Sequence, residues 1–288
     1  MRTLAKTVVV VTLTALGAAG GHVAAAAPSP VVDEGGAIVA PSSTQISFAH
    51  TPTGFRAGTA NEHESRAGVS IVKLYLAEYV VRHGDPADHA DAVEMIRASN
   101  DAIADRLYAK YPQAISTTAA EFGLTDTYVP GYWGVGTTST HDMVSYLETK
   151  KVTDPDSPVL GAMASAYGTA ADGYPQNFGT ALLAGVIGTK WGWSDDRSFH
   201  ASASFGPDFS VAASTYGSAA QLSEHVLGAF TDGGPTEPRS GYRLEDCPAL
   251  TWLAGDPTLA APAQALLDQV PSGAADAFCT LTSERGAS

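Results

Sequence analysis

The sequence is poor in cysteine and in charge, and the charge that it has is mainly negative. Two of the 288 residues are cysteine, charged residues make up 16%, and 30 acidic residues outnumber 16 basic ones. The net charge of −14 repels phosphate backbones and anionic lipid surfaces, so nucleic acid is not an expected partner. Hydrophobic residues make up 44% of the chain, a globular composition that excludes wholesale disorder.

Metal-binding sequence motifs are absent as well. The eight histidines, which include His83, His89 and His141, form no H-E-x-x-H or H-x-H pattern. No histidine lies at ligand spacing from Cys247 or Cys279. We therefore expect neither a bound metal ion nor any other cofactor.

The segment 1–26 has the order of a secretory signal peptide. Arg2 and Lys6 precede an apolar run over residues 7–19, and an alanine-rich stretch with an A-x-A-like site follows that run. The run is too short to predict a membrane span, and no cysteine follows it for lipid attachment. We expect cleavage near Ala26, secretion to the extracellular space and a mature chain without a membrane span. An uncleaved anchor is the alternative.

Export changes the interpretation of the two cysteines. Outside the cytoplasm two cysteines most often pair, and a loop of this size stabilises a fold by about 3–4 kcal/mol in the chain-entropy model. We expect a disulfide between Cys247 and Cys279 in an accessory tail over residues 233–288, which begins with a Pro- and Gly-rich linker. A redox or metal-binding pair is the alternative.

Hydrophobic periodicity and turn residues divide the rest of the chain into a lead-in and one domain. Residues 27–44 are rich in Pro, Ser and Gly, which predicts an extended lead-in to a domain over residues 45–232. The order of elements predicts an α+β fold, with one antiparallel sheet built from both ends of the domain and helices inserted between them. The predicted elements are a hairpin over 45–58, a helix over 69–82, one or two helices over 87–110, further helices from 138 and over 218–230, and strands over 198–205 and 209–216.

Ser70 and Lys73 are a candidate nucleophile and base. They are three residues apart, so they share one face of the predicted helix over 69–82. This helix is apolar nearly all round, and burial lowers the pKa of a lysine, so a neutral Lys73 amine could take the proton of the Ser70 hydroxyl. The alternative is that Lys73 extends to the surface beside an incidental serine, although apolar residues on both sides make this harder.

Two further motifs follow in the chain. Ser99-Asn100-Asp101 begins a later helix, and Thr189-Lys190-Trp191-Gly192 precedes the paired strands. The order S-x-x-K, S-D-N and K-T-G is the signature of penicillin-interacting serine enzymes. Over roughly residues 45–230 the chain therefore resembles the class A β-lactamase and penicillin-binding-protein superfamily, as a degenerate member whose fold is β-lactamase- or transpeptidase-like.

The resemblance implies a role for each residue at a matching position. Ser70 would be the acylated nucleophile, and Lys73 would accept its proton directly or through Ser99. Ser99 would pass a proton to the leaving nitrogen, and Lys190 would bind a substrate carboxylate and support Ser99. The backbone N–H groups of Ser70 and Trp193 would form the oxyanion hole, and Gly192 would allow the strand to approach closely. Asp101 would take the place of the family's substrate-binding Asn.

The chain departs from the family pattern at several of these positions. Asp101 is an acid where the family has an amide, and an ionised carboxylate cannot donate a hydrogen bond to a substrate carbonyl. Trp191 replaces the hydroxyl residue of K-T-G and is expected to narrow the groove. No carboxylate lies between Asp126 and Asp142, where a class A β-lactamase carries its deacylating glutamate; Glu121 precedes this loop and is interpreted as a surface charge.

Three hypotheses follow for the function. The first is a secreted, monomeric serine acyl-transfer enzyme that acts on a peptide-like amide or ester near the cell wall and deacylates poorly. The second, motivated by Asp101 and Trp191, is a catalytically silent relative that binds a wall peptide or a protein partner in the same cleft. The third is an unrelated secreted α+β protein in which the motifs are accidental. Under the first two hypotheses, Ser70, Lys73, Ser99 and Lys190 should converge within hydrogen-bond reach, directly or through one water, and Ser70 and Lys190 on opposite faces would exclude both.

Overall fold

Residues 27–231 are described by the computed structural model of the 288-residue chain. The predicted signal peptide and the predicted cysteine pair lie outside the described residues. Within this range the strands are β1 (Thr44–His50), β2 (Phe55–Gly58), β3 (Arg66–Ala67), β4 (Thr137–Thr138), β5 (Gly188–Trp193), β6 (Phe199–Phe205) and β7 (Phe209–Tyr216). The helices are α1 (Lys73–His83), α2 (His89–Ala98), α3 (Asp101–Lys110), α4 (Ala114–Phe122), α5 (Thr140–Thr153), α6 (Pro158–Ala164) and α7 (Ala219–Gly228).

Strands from both ends of the described range form one antiparallel sheet in the order β2-β1-β7-β6-β5. The hairpin of β1 and β2 joins the later strands through the pairing of β1 with β7, in which Phe48 lies opposite Val211. β3 and β4 form a separate two-stranded ladder. The predicted α+β fold, with a sheet from both ends and helices inserted between them, is confirmed.

Successive residues along a strand of the sheet alternate between two apolar clusters, one on each face of the sheet. Ala212 in β7 packs with residues of helices α1–α6, whereas its neighbours Val211 and Ala213 pack with residues of α7. This is the period-two alternation of a strand that is covered on both faces. The face toward the inserted helices carries many small side chains, which allow the helices to approach the sheet closely; they include Ala49, Ala201, Ala203 and Ala212.

The observed helices differ from the predicted ones in where the first helix begins and in the presence of two additional helices. The predicted helix over 69–82 begins instead as a 3₁₀ turn, Val69–Val72, and continues as α1. The predicted segment 87–110 is two α-helices that meet at Ser99 and Asn100. Helices α4 and α6, which are 9 and 7 residues long, were not predicted from the sequence. None of the helices between residues 27 and 231 is long and apolar enough to cross a membrane.

Candidate active site

Ser70 lies in the 3₁₀ turn that leads into α1, on a backbone held in an unusual conformation. The preceding residue, Val69, has φ of +41°, a region that β-branched residues rarely adopt and that costs about 1–3 kcal/mol. Strand β5 passes directly beside this turn: a Cβ atom added at Gly192 would meet the Val69 side chain and lie 2.9 Å from the Ser70 backbone nitrogen. The glycine therefore allows β5 to approach the backbone of Ser70.

Lys73 is fully buried at the start of α1, and its ammonium group has several partners. Its Nζ atom lies 3.0 Å from Ser70 Oγ and 2.9 Å from the carbonyl oxygen of Ser99. It also donates to the Asp101 carboxylate, and it lies 4.8 Å from the centre of the Trp133 ring. Lys73 therefore does not extend to solvent: its side chain is 0% exposed.

Lys190, on β5, is the second buried lysine of the site. Its Nζ atom donates to Ser99 Oγ at 2.7 Å and to the Trp191 carbonyl at 2.9 Å. Burial, and then the positive charge of Lys73, lower the pKa of Lys190 well below its usual value. Burial also lowers the pKa of Lys73, but here the Asp101 carboxylate opposes the shift.

Ser99 and Asp101 reach the site because the chain turns sharply between α2 and α3. Ser99 ends α2 in a left-handed conformation with φ of +50°. Asn100 then caps α3, since its side-chain oxygen accepts a hydrogen bond from the Ile103 N–H at 3.1 Å. The Asp101 carboxylate, predicted to bind substrate, contacts Lys73, and its side chain is 69% exposed.

The two tryptophans of β5 have different environments. Trp191 does not narrow the groove, which corrects the prediction: it lies in the apolar cluster that also contains α7 residues, and its indole N–H donates to the Phe178 carbonyl at 2.9 Å. The strand alternation explains this, because Lys190 and Gly192 point to one face and Trp191 to the other. Trp193 is half-buried and donates to Asp172 at 3.1 Å.

Asp172, Tyr174 and Arg197 are neighbours of the site that sequence reasoning missed. Arg197 contacts Asp172 at 3.2 Å and lies over the Tyr174 ring, 4.2 Å from its centre. The carboxylate of Asp172 is near enough to raise the pKa of both Lys73 and Lys190 against the effect of burial. No motif marks these residues, because they come from loops that only the fold brings together.

The loop before β4 covers the site with an aromatic side chain and provides no acid to Ser70. Trp133 is buried over Lys73, and its indole N–H donates to Asp105 at 2.8 Å. Glu121 pairs with Arg82 at 2.6 Å and with His83 at 2.9 Å. These partners lie at the far end of α1, about 15 Å along the helix from Lys73. Glu121 is thus a charge on the helical surface, as predicted.

The structure brings Ser70, Lys73, Ser99 and Lys190 together in one hydrogen-bonded group. Lys73 connects Ser70 to the backbone of Ser99, and Lys190 contacts the hydroxyl of Ser99. Gly192 and Trp193 lie on the strand beside Ser70. The group contains a hydroxyl next to a buried amine, which is the arrangement needed to activate a serine nucleophile.

Comparison with known proteins gives relatives of two kinds. No protein-family model matches the chain. LppW of Mycobacterium tuberculosis, which its name classes as a candidate lipoprotein, is 27% identical over 146 residues, 44% of this chain and 46% of LppW. LppW of Mycobacterium bovis matches to the same extent. The chain spans about half the length of the curated relatives it matches.

Solved structures similar to the chain are β-lactamases and penicillin-binding proteins. The D-alanyl-D-alanine carboxypeptidase of Mycobacterium tuberculosis is 16% identical with a TM-score of 0.49, over 69% of this chain and 94% of that one. Penicillin-binding protein D2 of Listeria monocytogenes is 15% identical with a TM-score of 0.49, over 64% and 94%. The β-lactamase of Streptomyces albus G is 14% identical with a TM-score of 0.49, over 65% and 90%.

Proposed function

We propose that the chain is a serine acyl-transfer enzyme of the β-lactamase or DD-peptidase type, with Ser70 as its nucleophile. Its substrate would be a peptide-like amide or ester near the cell wall. The observation that carries the proposal is the buried amine of Lys73, 3.0 Å from Ser70 Oγ. A desolvated lysine beside a serine hydroxyl is an effective proton acceptor at neutral pH, because burial disfavours its charged form.

The acylation step can be followed atom by atom through the hydrogen-bonded group. Ser70 Oγ attacks the substrate carbonyl carbon, and its proton passes to Lys73. The carbon–nitrogen bond then breaks, Ser99 delivers its hydroxyl proton to the leaving nitrogen, and the proton that Lys73 took from Ser70 passes to Ser99 to restore the hydroxyl. Lys190, 2.7 Å from Ser99 Oγ, orients that hydroxyl, and a substrate carboxylate arriving beside it would favour the charged form of the lysine.

The developing oxyanion would be held by two backbone donors. The N–H groups of Ser70 and Trp193 are the candidates, and the approach of β5 at Gly192 supports this role because it brings the two backbones side by side. Such fixed donors stabilise the tetrahedral intermediate more than the ground state, and removing one typically lowers kcat by about 10²–10³-fold.

Fluorescent penicillin labelling tests the proposal directly. We expect covalent labelling of the parent chain and complete loss of labelling in Ser70→Ala, which removes one hydroxyl and leaves the fold intact. Ser116→Ala is the matched control, because Ser116 is an exposed helical serine on α4. Labelling that persists in Ser70→Ala would remove Ser70 from the mechanism.

One observation favours a second candidate function, that of a silent binding protein. Asp101 contacts Lys73 directly, and an ionised carboxylate in that position favours the ammonium form, which cannot accept a proton. In this alternative the cleft binds a wall peptide or a protein partner without reaction. A parent chain that binds a β-lactam reversibly but acquires no covalent label would support this alternative.

We also propose that the chain acts outside the cytoplasm, as a monomer. The order of charged, apolar and small residues over 1–26 supports export. The name of the relative LppW, a candidate lipoprotein, agrees with a location in the cell envelope. Small-molecule or peptide substrates derived from the wall would be accessible there.

A further inference from the structure

A cluster of metal-ligand side chains lies where three segments of the described chain meet. His63 is in the turn after β2, Asp126 is in the loop between α4 and β4, and His141 is in the first turn of α5. One ligand atom from each of these residues lies within 4.8 Å of the others. Nδ1 of His63 is 3.0 Å from Asp126 Oδ2, and the centres of the two histidine rings are 4.0 Å apart.

Asp142, directly behind His141, provides an independent observation. Its side chain is 1% exposed. Oδ2 accepts hydrogen bonds from the Asp126 N–H at 2.8 Å and from Thr127 Oγ1 at 2.7 Å. Oδ1 and His141 Nδ1 are buried atoms without a hydrogen-bond partner among the described residues, and they lie 3.7 Å apart. A buried carboxylate oxygen without a partner is costly, so the arrangement calls for a further interaction.

We propose that His63, Asp126 and His141 bind one divalent transition-metal ion of the Zn²⁺ type, and that Asp142 positions His141. Two imidazoles and a carboxylate are a zinc ligand set, and three protein ligands leave one coordination position open. A small rotation of the His141 ring would let its Nδ1–H donate to Asp142 Oδ1 and turn Nε2 toward the ion. This carboxylate–histidine–metal arrangement is common in metal sites.

The distances and charges of the cluster suit a cation. Ligand atoms on one tetrahedral zinc ion lie about 3.3–3.4 Å apart, since each is about 2.0–2.1 Å from the metal. The observed spacing of up to 4.8 Å has to shorten by up to about 1.5 Å to reach this geometry. His63, whose side chain is 59% exposed, can rotate toward the ion without disturbing the core. The carboxylates of Asp126, Asp142 and Glu62 outnumber the nearby cation Arg56, so the cluster is negative on balance, which attracts a cation.

From the sequence we expected no bound metal ion, because no metal-ligand motif of closely spaced residues occurs. The residues of this cluster are far apart in the sequence, so no such motif marks them. His63, Asp126 and His141 belong to separate segments, and only the fold brings them together. An ion at this place would connect the turn after β2 with both the loop before β4 and the start of α5. Its expected effect is thus on stability, and it does not depend on the proposed acyl transfer.

Titration of the full chain with ZnCl₂ tests the site. The tag-free protein is first dialysed against a chelator, and heat of binding and thermal unfolding are then measured without reductant. We expect saturable binding of one ion per chain and a higher Tm with zinc, since an ion that binds only the folded state stabilises it. His63→Ala should abolish both effects, and His89→Ala, a histidine outside the cluster on α2, should retain them.

Further variants separate the roles of the residues. Asp142→Asn should weaken zinc binding by about 10–100-fold, as is typical when the residue that hydrogen-bonds a metal ligand is lost. It should change the visible spectrum of the Co²⁺-substituted protein less than Asp126→Asn does, because Asp142 does not itself contact the ion. Ser70→Ala should bind zinc like the parent. Absence of saturable binding in the parent, or equal binding by His63→Ala through other groups such as the cysteines, would show that the proposal is wrong. The Tm of each metal-free variant checks that it is folded.

Discussion

The contact between Asp101 and Lys73 controls the protonation state of the candidate base. Burial lowers the pKa of Lys73, and the Asp101 carboxylate raises it again. In the resembled family this position carries an amide, which has no charge with which to favour the ammonium form. If Lys73 is the base of the proposed acyl transfer, the Asp101 carboxylate therefore lowers the fraction of its neutral, reactive form.

Asp101→Asn should make the chain react faster with β-lactams. Without the carboxylate, the pKa of Lys73 falls further, and a larger fraction of its amine is neutral at pH 7. A neighbouring opposite charge typically shifts a pKa by about 1–3 units, so we expect acylation at pH 7 to be at least about tenfold faster. The acylation rate should rise with pH through the pKa of Lys73, and this rise should occur at lower pH in Asp101→Asn. Stopped-flow labelling across pH measures both effects.

Asp105→Asn is the matched control for that experiment. It removes the same charge from the same helix, but Asp105 contacts Trp133 and Tyr132 and affects the pKa of Lys73 less than Asp101 does. We expect a smaller increase in acylation. Equal rates in Asp101→Asn and the parent would mean that the protonation of Lys73 does not limit the reaction, and absence of labelling in both would favour the silent binder.

At the scale of the element, the site depends on the close approach of β5 to the turn before α1. The turn contains Val69 in its unusual conformation and Ser70, and the strand contributes Lys190, Gly192 and Trp193. The sequence motif K-T-G is degenerate here at its second position only. Its glycine is retained where a side chain would collide with the turn.

Gly192→Ala should impair both stability and acylation. The added methyl group would meet Val69 and the backbone of Ser70, which forces β5 away from the turn and widens the candidate oxyanion hole. We expect a loss of about 1–3 kcal/mol in the free energy of unfolding, as for other overpacked sites. We also expect acylation to slow by about tenfold or more. Urea unfolding and penicillin labelling measure the two effects.

Gly161→Ala is the control for Gly192→Ala: it is the same substitution, but we expect it to stabilise the protein. Gly161 lies within α6, and a Cβ atom added there meets nothing within 4 Å. Alanine should stabilise this helix by about 0.5–1 kcal/mol and leave acylation unchanged. A Gly192→Ala variant that behaved like Gly161→Ala would contradict the close approach of β5 to Ser70.

At the scale of the whole molecule, the distribution of acidic residues sets the expected lifetime of the acyl-enzyme in the proposed mechanism. No acidic residue occurs in the chain between Asp126 and Asp142, and this loop covers Lys73 with Trp133. Glu121 is occupied by Arg82 and His83 at the far end of α1. In the proposed mechanism Lys73 is the base for acylation, and activation of the hydrolytic water needs another base.

We therefore predict that a β-lactam adduct on Ser70 is long-lived. General-base assistance typically contributes about 10²–10⁴-fold, so its absence should slow deacylation by about that factor. After removal of excess drug, intact-mass measurements over hours should show that the added mass persists. Rapid return to the unmodified mass, with steady β-lactam hydrolysis, would mean that another residue activates the water. Asp172→Asn would then be the first variant to examine, because Asp172 is the carboxylate near both Lys73 and Lys190 that is not bound to Lys73. Glu121, in contrast, is paired at the far end of α1.

Much of the fold could be predicted from the sequence because its signals are local. Alternating residues predicted strands over 198–205 and 209–216, and the structure has β6 at Phe199–Phe205 and β7 at Phe209–Tyr216. The hairpin at 45–58 was marked by its turn residues in the same way. The spacing of Ser70 and Lys73 also placed a hydroxyl beside an amine, because three residues make nearly one helical turn.

Other features were decided only by the tertiary structure. The pairing of Asp101 with Lys73, the orientation of Trp191 away from the groove, and the contact of Asp172 with Trp193 depend on how separate segments pack. The same is true of the cluster at His63, Asp126 and His141. Periodicity and spacing describe neighbours along the chain, whereas these contacts depend on strand register, loop path and burial, which are properties of the whole fold.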